Sequence, residues 1–359
     1  MRSSISSSEG PPGHRVGQRP DAWRRFALTF AATLAGAGLF VFLFVATVDP
    51  WDMLPLSPPL HRIPISTNAR YTMPSLARSD RFDSAMVGTS TGRLLQPAVM
   101  DAPLGAHLAN MAMNSATPWE QDRLLRLFLR HHTAPHVVLI DIDAAWCFAS
   151  PATISGPNRP MPDWMYQGSP WRGYAEMMNL YAVQEAANQF MWLIGHKRQR
   201  YGSDGYTSFV PPDDRYDPRR VDELFRGWDI DRRMATGPAA APLSMPMLRR
   251  LVDAIPAGTT KILWFPPAAR DMQGAPGSVV AATRAACRQA VAAIGRDSAR
   301  TLVIDFDIPG PLTASRDNFW DPIHYRMAVA RTIMDDLAAA GTGRSVPPGD
   351  ARVLVPLAR

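Results

Sequence analysis

Phe82-Asp83-Ser84-Ala85-Met86-Val87-Gly88-Thr89-Ser90-Thr91-Gly92-Arg93 is the stretch whose reading decides the fold. Its short apolar run, Ser84 to Val87, stops at Gly-Thr-Ser-Thr-Gly, as a buried parallel strand does when it enters a tight turn. Open α/β sheets place their chemistry at the C-terminal ends of such strands. Ser90 would then stand at the strand-to-helix turn. Glycines on both sides let the backbone bend, and backbone N–H groups at the start of the next helix face whatever Ser90 attacks. The competing reading is that Ser90 or Thr91 only caps a helix, since both residue types are preferred there.

Outward from this stretch the pattern repeats. His107 to Met113, His136 to Ile142, Thr260 to Phe265 and Thr301 to Phe306 read as further strands, His136 to Ile142 being apolar at nearly every position. Thr117-Pro118-Trp119-Glu120 opens a helix with a cap, a proline at the first position and an acid in the first turn. Further helices are expected near 277–294 and 323–340. The alternation predicts an α/β domain with a doubly wound parallel sheet of five strands. Residues 148–258 exceed any single crossover and are expected to form a cap-like insertion over the site. The rings of Trp146, Trp164, Tyr166 and Trp171 read as local core rather than as a platform for sugar faces.

The N-terminal region has a different character. Residues 1–25 are rich in serine, proline and arginine and read as a disordered tail. Phe26 to Val48 is 23 residues without a charge. As a helix it would span roughly 34 Å, enough for a bilayer core, and it reads as an uncleaved anchor. Arg15, Arg19, Arg24 and Arg25 precede it while Asp49 and Asp52 follow, which places the tail in the cytoplasm and the main domain outside, in a periplasm if the cell has one. Residues 49–80, with six prolines, read as a linker, 81–345 as the main domain and 346–359 as a tail.

Composition narrows the function. The net charge of +6 is spread along the chain with no basic block interleaved with aromatics, so nucleic acid is not an expected partner. The two cysteines, Cys147 and Cys287, read as buried small residues rather than a bridge, and no Cys or His cluster has metal-ligand spacing. No metal or cofactor is expected.

A second motif lies far downstream, at Asp317-Asn318-Phe319-Trp320-Asp321-Pro322-Ile323-His324-Tyr325. Asp321 can hold one imidazole nitrogen of His324 while the other faces outward, and an oriented histidine is what a serine hydroxyl needs as its base. Helix capping would account for Asp321 and Pro322 but leaves His324 unexplained.

Gly-x-Ser after the first strand, with Asp-x-x-His before the last helix, resembles the SGNH (GDSL-like) hydrolase superfamily. The resemblance covers about 83–340 and implies a flavodoxin-like αβα sandwich. It makes Ser90 the nucleophile, Asp321 the orienting acid and His324 the base. Three departures stand out. Thr89 replaces the family's Asp, and the second block reads Asn110-Met111-Ala112-Met113-Asn114-Ser115, with Ala112 and Ser115 at its glycine positions. The third block, Gly-x-Asn-Asp, is missing, since the third strand runs into Asp141-Ile142-Asp143. Ala112, with Asn110 or Asn114, is therefore expected to supply the oxyanion donors beside Ser90.

Together, resemblance and anchor imply an enzyme of the cytoplasmic membrane whose outer domain works on a cell-envelope glycan. It would be an O-acetylesterase or O-acyltransferase using a Ser-His-Asp triad. The alternative is a non-catalytic envelope protein of the same fold that binds a glycan or a membrane-bound acyltransferase.

Overall fold

The computed structural model of the chain describes residues 20–358 apart from 152, 154–158, 200 and 229–237. Most of the tail expected over 1–25 therefore lies outside the described residues. Helix α1 (Pro20–Val48) is followed by α2 (Ala69–Arg78), β1 (Ser84–Val87), α3 (Pro97–Leu104), β2 (Leu108–Asn110) and α4 (Pro118–His131). β3 (Val137–Asp141) leads into α5 (Ala144–Phe148). The insertion then holds α6 (Asp163–Tyr166), α7 (Gly173–Glu176), α8 (Leu180–Leu193), α9 (Pro218–Arg226) and α10 (Met245–Asp253). β4 (Thr260–Phe265), α11 (Val279–Asp297), β5 (Thr301–Asp305), α12 (Pro311–Ala314), α13 (Met327–Gly341) and β6 (Arg352–Val355) complete the order.

The sheet has six strands in the order β2-β1-β3-β4-β5-β6, not the five expected. The first five run parallel, and β6 pairs antiparallel with β5 at the edge. β6 falls in the stretch expected as a tail. It has no buried-strand signature because its first residues, Arg352 and Val353, face solvent.

Successive residues of the central strands point to opposite faces, and both faces are buried. Ala85, Val87, Val138, Ile140, Leu263 and Val303 meet α4, α10 and α11 through Leu124, Phe128, Leu248 and Val291. Met86, Leu139, Ile262, Trp264 and Ile304 meet α3 and α13 through Met100, Val329, Ile333 and Leu337. Helices on both sides explain why the strands are apolar throughout. The expected helix start at Thr117 is a capping box, in which Thr117 accepts from the Glu120 N–H and Glu120 accepts from the Thr117 N–H.

Three regions differ from expectation. Residues 49–80, expected as a linker, send Trp51, Leu54, Ile63 and Ile65 into the interior and form α2. The α2 residue Arg70 makes a bidentate pair with Glu120 on α4, both under 3 % exposed. The short apolar clusters between the prolines are core segments. Cys147 and Cys287, expected as separate, are joined in a disulfide across 140 positions. α5 and α11 pack on the same face of the sheet and bring the two Cα atoms to 5.5 Å, within bridging range. Trp146, Trp164 and Tyr166 are core, whereas Trp171 is 57 % exposed.

One apolar helix, Asp21–Val48, is long enough to cross a membrane, and Asp21 to Phe40 is exposed along its whole length. Its last two turns enter the domain, where Val45 and Val48 are buried. Arg62 closes its C-terminus by donating to the carbonyls of Thr47 and Val48, a favourable partner for the negative end of the helix dipole.

Candidate active site

β1 is the strand from which the sheet grows in both directions, with β2 on one side and β3 on the other. Open α/β sheets leave a crevice at such a reversal, beyond the C-terminal strand ends. Ser90 follows β1 at this point, Asp141 ends β3 beside it and Asp143 follows.

The turn carrying Ser90 is shaped by close approach rather than by unusual backbone angles. Neither Gly88 nor Gly92 has a positive φ. A Cβ on Gly88 would lie 2.4 Å from the Cβ of Asp141, and one on Gly92 would lie 3.1 Å from its Oδ2. The glycines let the turn lie directly on Asp141, whose Oδ2 accepts from the Gly92 N–H at 2.9 Å and the Thr91 hydroxyl at 2.7 Å. Thr89 donates its hydroxyl to Asp143. Burial, and then the neighbouring Asp143 charge, pushes the Asp141 carboxyl well above the usual carboxylate range, against the hydrogen bonds from Thr91, Thr89 and Gly92. Burial likewise raises Asp143, outweighing the Thr89 bond. A short 3₁₀ turn, Gly92–Leu94, follows. Ser90 caps no helix.

His324 arrives from the other side of the sheet's end. The chain from Asn318 to Arg326 folds into a narrow loop closed by the Phe319–Tyr325 bridge, with the Trp320 N–H donating to the His324 carbonyl at 2.8 Å. α13 begins only at Met327, so Asp321 does not cap it. Instead Asp321 Oδ1 accepts from the N–H groups of Ile323 and His324, at 3.0 and 2.9 Å, and its Oδ2 lies 2.6 Å from His324 Nδ1. His324 Nε2 lies 2.7 Å from Ser90 Oγ. Burial alone would raise the Asp321 carboxyl. The bond and charge of His324, with the two backbone donors, outweigh burial and hold it below the usual value. An ionised Asp321 accepts a hydrogen bond from Nδ1–H, which leaves Nε2 as acceptor for the Ser90 hydroxyl.

The three residues named as an oxyanion pocket are placed differently from one another. Asn110 is 1 % exposed and works inside the protein: its amide donates to the carbonyls of Gly92 and Leu95, and its Oδ1 takes the N–H of Ala112. Ala112 therefore has no N–H to offer an oxyanion. Asn114 turns its Oδ1 to Arg93, and its carbonyl accepts from Arg70 and Arg159. Its amide nitrogen stays as a donor. Among the described residues nothing accepts the N–H of Ser90.

Other residues at the site carried weaker signals. Tyr325 donates its buried phenol to the Thr91 carbonyl at 2.6 Å. Phe209, from the insertion, sets its ring edge-on to His324 at 5.1 Å, and Arg93 packs its guanidinium over Phe209 and Tyr201. Asp141 and Asp143 could have been found as two acids ending an apolar strand beside β1. Phe209 could not, because only the fold returns that loop to His324. Among the described residues no group of three His, Cys, Asp or Glu side chains could hold a metal ion. No family model matches the chain, and no curated protein matches it.

Proposed function

We propose that the chain is a membrane-anchored serine acyl-ester enzyme, an O-acetylesterase or O-acyltransferase of a cell-envelope glycan, related to the SGNH hydrolases. The observation that carries this reading is the continuous line of short contacts from Asp321 through His324 to Ser90, at the strand ends where the order reverses. A scaffold has no need of such a line. The order of the first five strands, 2-1-3-4-5, is the flavodoxin-like one and agrees with that kinship.

In this mechanism Ser90 Oγ attacks the ester carbonyl as its proton passes to His324 Nε2, and Asp321 stabilises the resulting imidazolium. In this reading the Ser90 N–H serves the developing oxyanion, with the Asn114 amide as the candidate second donor. Collapse of the tetrahedral species expels the alcohol, which takes the proton from His324. A water or a sugar hydroxyl, deprotonated by the same nitrogen, then removes the acyl group. Outward placement of the domain agrees with the Cys147–Cys287 bridge, because disulfides persist in oxidising compartments. Arg24 and Arg25, just ahead of the uncharged stretch of α1, favour a cytoplasmic N-terminus.

One observation favours the non-catalytic reading. Asn110 and Ala112 are committed to internal bonds, so the oxyanion site has fewer donors than the sequence promised. Hydrolysis of a small activated acetyl ester by the full chain in detergent separates the two. Turnover that disappears in folded Ser90→Ala and His324→Ala supports the enzyme; turnover equal in all three proteins contradicts it.

A further inference from the structure

The end of α1 enters the folded domain at a depth that matters for a membrane protein. A helix needs about 20 residues to cross a hydrocarbon core of about 30 Å. Counted from Phe26, the first residue after Arg24 and Arg25, that span closes at Val45. Yet Val45 is already buried in the domain, and Val41 and Phe44 pack against it. Domain and bilayer boundary meet at the same turn of α1, with no spacer between them.

The domain reaches this level on two sides of the helix. The ring of Tyr174 lies 6.2 Å from that of Phe42, and the ring of Phe190 lies 5.8 Å from that of Phe44. Residues two apart on a helix point to nearly opposite sides. α8 runs back along α1, since Tyr181 near its start stacks 5.8 Å from Trp51, beyond the helix end, while Phe190 near its finish meets Phe44. The last turn of α8 therefore points toward the bilayer. It carries Phe190 and Met191 and is capped by Ile194, each 41–48 % exposed, and on the other side Trp171 stands 57 % exposed beside Tyr174. Exposed Lys197 and Arg198 follow the apolar turn. Aromatic rings at the interface and basic groups at the headgroups suit an anionic lipid surface.

We propose that the last turn of α8, with the Trp171–Tyr174 turn, forms a membrane seat that enters the outer interface of the bilayer beside α1. The domain then rests on lipid with Ser90 and His324 at a set height, rather than swinging on a tether. The inference builds on the membrane-anchored reading above and commits to lipid as the covering surface.

The test uses the full chain in phosphatidylethanolamine–phosphatidylglycerol vesicles, with a nitroxide on one introduced cysteine at a time. Cys147 and Cys287 are bonded to each other and do not react. Met191→Cys and Ile194→Cys are compared with Leu34→Cys, in the exposed part of α1, and Arg331→Cys, on the exposed side of α13. The seat predicts that labels at Met191 and Ile194 collide with oxygen in preference to a water-soluble nickel chelate, as the Leu34 label does. Water-like collision at both, with lipid-like collision at Leu34, overturns the seat alone. Shielding from both reagents also overturns it, because protein then covers the turn. A water-like Leu34 label overturns the anchor and the seat with it.

Discussion

The phenol of Tyr325 donates to the carbonyl of Thr91 at 2.6 Å, so the residue after His324 is tied to the residue after Ser90. This buried bond joins the loop of His324 to the turn of Ser90, the proposed base and nucleophile, which are 234 positions apart in the chain. Tyr325→Phe leaves the Thr91 carbonyl only the longer bond from the Leu94 N–H, at 3.3 Å, and should cost about 0.5–1.5 kcal/mol of stability. Esterase activity should fall about tenfold or more, since small misplacement of reacting groups is expensive. Thermal unfolding and kcat/KM measured on one preparation check both. Unchanged activity in a destabilised variant would show that the bond supports only the fold.

Asp321→Asn keeps the shape of the loop but removes the charge that orients His324. Activity should fall by roughly 10²–10⁴-fold with folding intact. The variant also has a pH signature. Because the folded protein holds Asp321 below its ordinary value, the carboxylate contributes stability above about pH 4 that is lost as pH falls through the folded value. The stability gap between wild type and variant should therefore be level near neutrality and close in acid. Urea titrations at several pH values read it directly.

Asp336 on α13 predicts the opposite trend. Burial, then the charges of Asp350 and Asp335, pushes it up to about 6, and its Oδ2 is buried without a hydrogen-bond partner among the described residues. The folded state binds its proton more tightly than the unfolded chain, so this group's contribution is fully present below about pH 4 and fades as pH rises toward 6. Asp336→Asn should stabilise the protein by about 1 kcal/mol at neutral pH, allowing for solvent screening. The gain should vanish below about pH 4.

The Cys147–Cys287 bridge closes a loop of 140 positions, and its loss should cost about 2–5 kcal/mol. Cys287→Ser should lower the melting temperature. Thiol titration of the denatured wild-type protein, isolated without reductant, should find no free thiol. Two free thiols in protein taken from its native membrane would contradict both the bridge and an oxidising compartment.

Much of the sheet was legible because period and apolar runs are local properties. Ser84–Val87 and Thr260–Phe265 lie where the residues alone put them, and the cap at Thr117 carries its own signature. β6 was not legible, since a short edge strand with Arg352 and Val353 in solvent has no buried pattern. The Cys147–Cys287 pair and the role of Asn110 were not legible either, because both depend on which turns the sheet brings side by side. The glycines around Ser90 were recognised but for a different reason: they make room for Asp141. Asp321 and His324 were readable three residues apart, whereas Phe209 meets His324 only through a long insertion.

The central claim is that Ser90 is a nucleophile activated by His324. Arg81 and Arg93 flank the turn, so trypsin releases it as a single peptide, Phe82 to Arg93. The most direct measurement is mass spectrometry of that peptide after the full chain reacts with a small fluorophosphonate. The expected result is one adduct on Ser90 in the wild type, with none in His324→Ala. An unlabelled peptide, or equal labelling in the folded His324→Ala variant, would contradict the account.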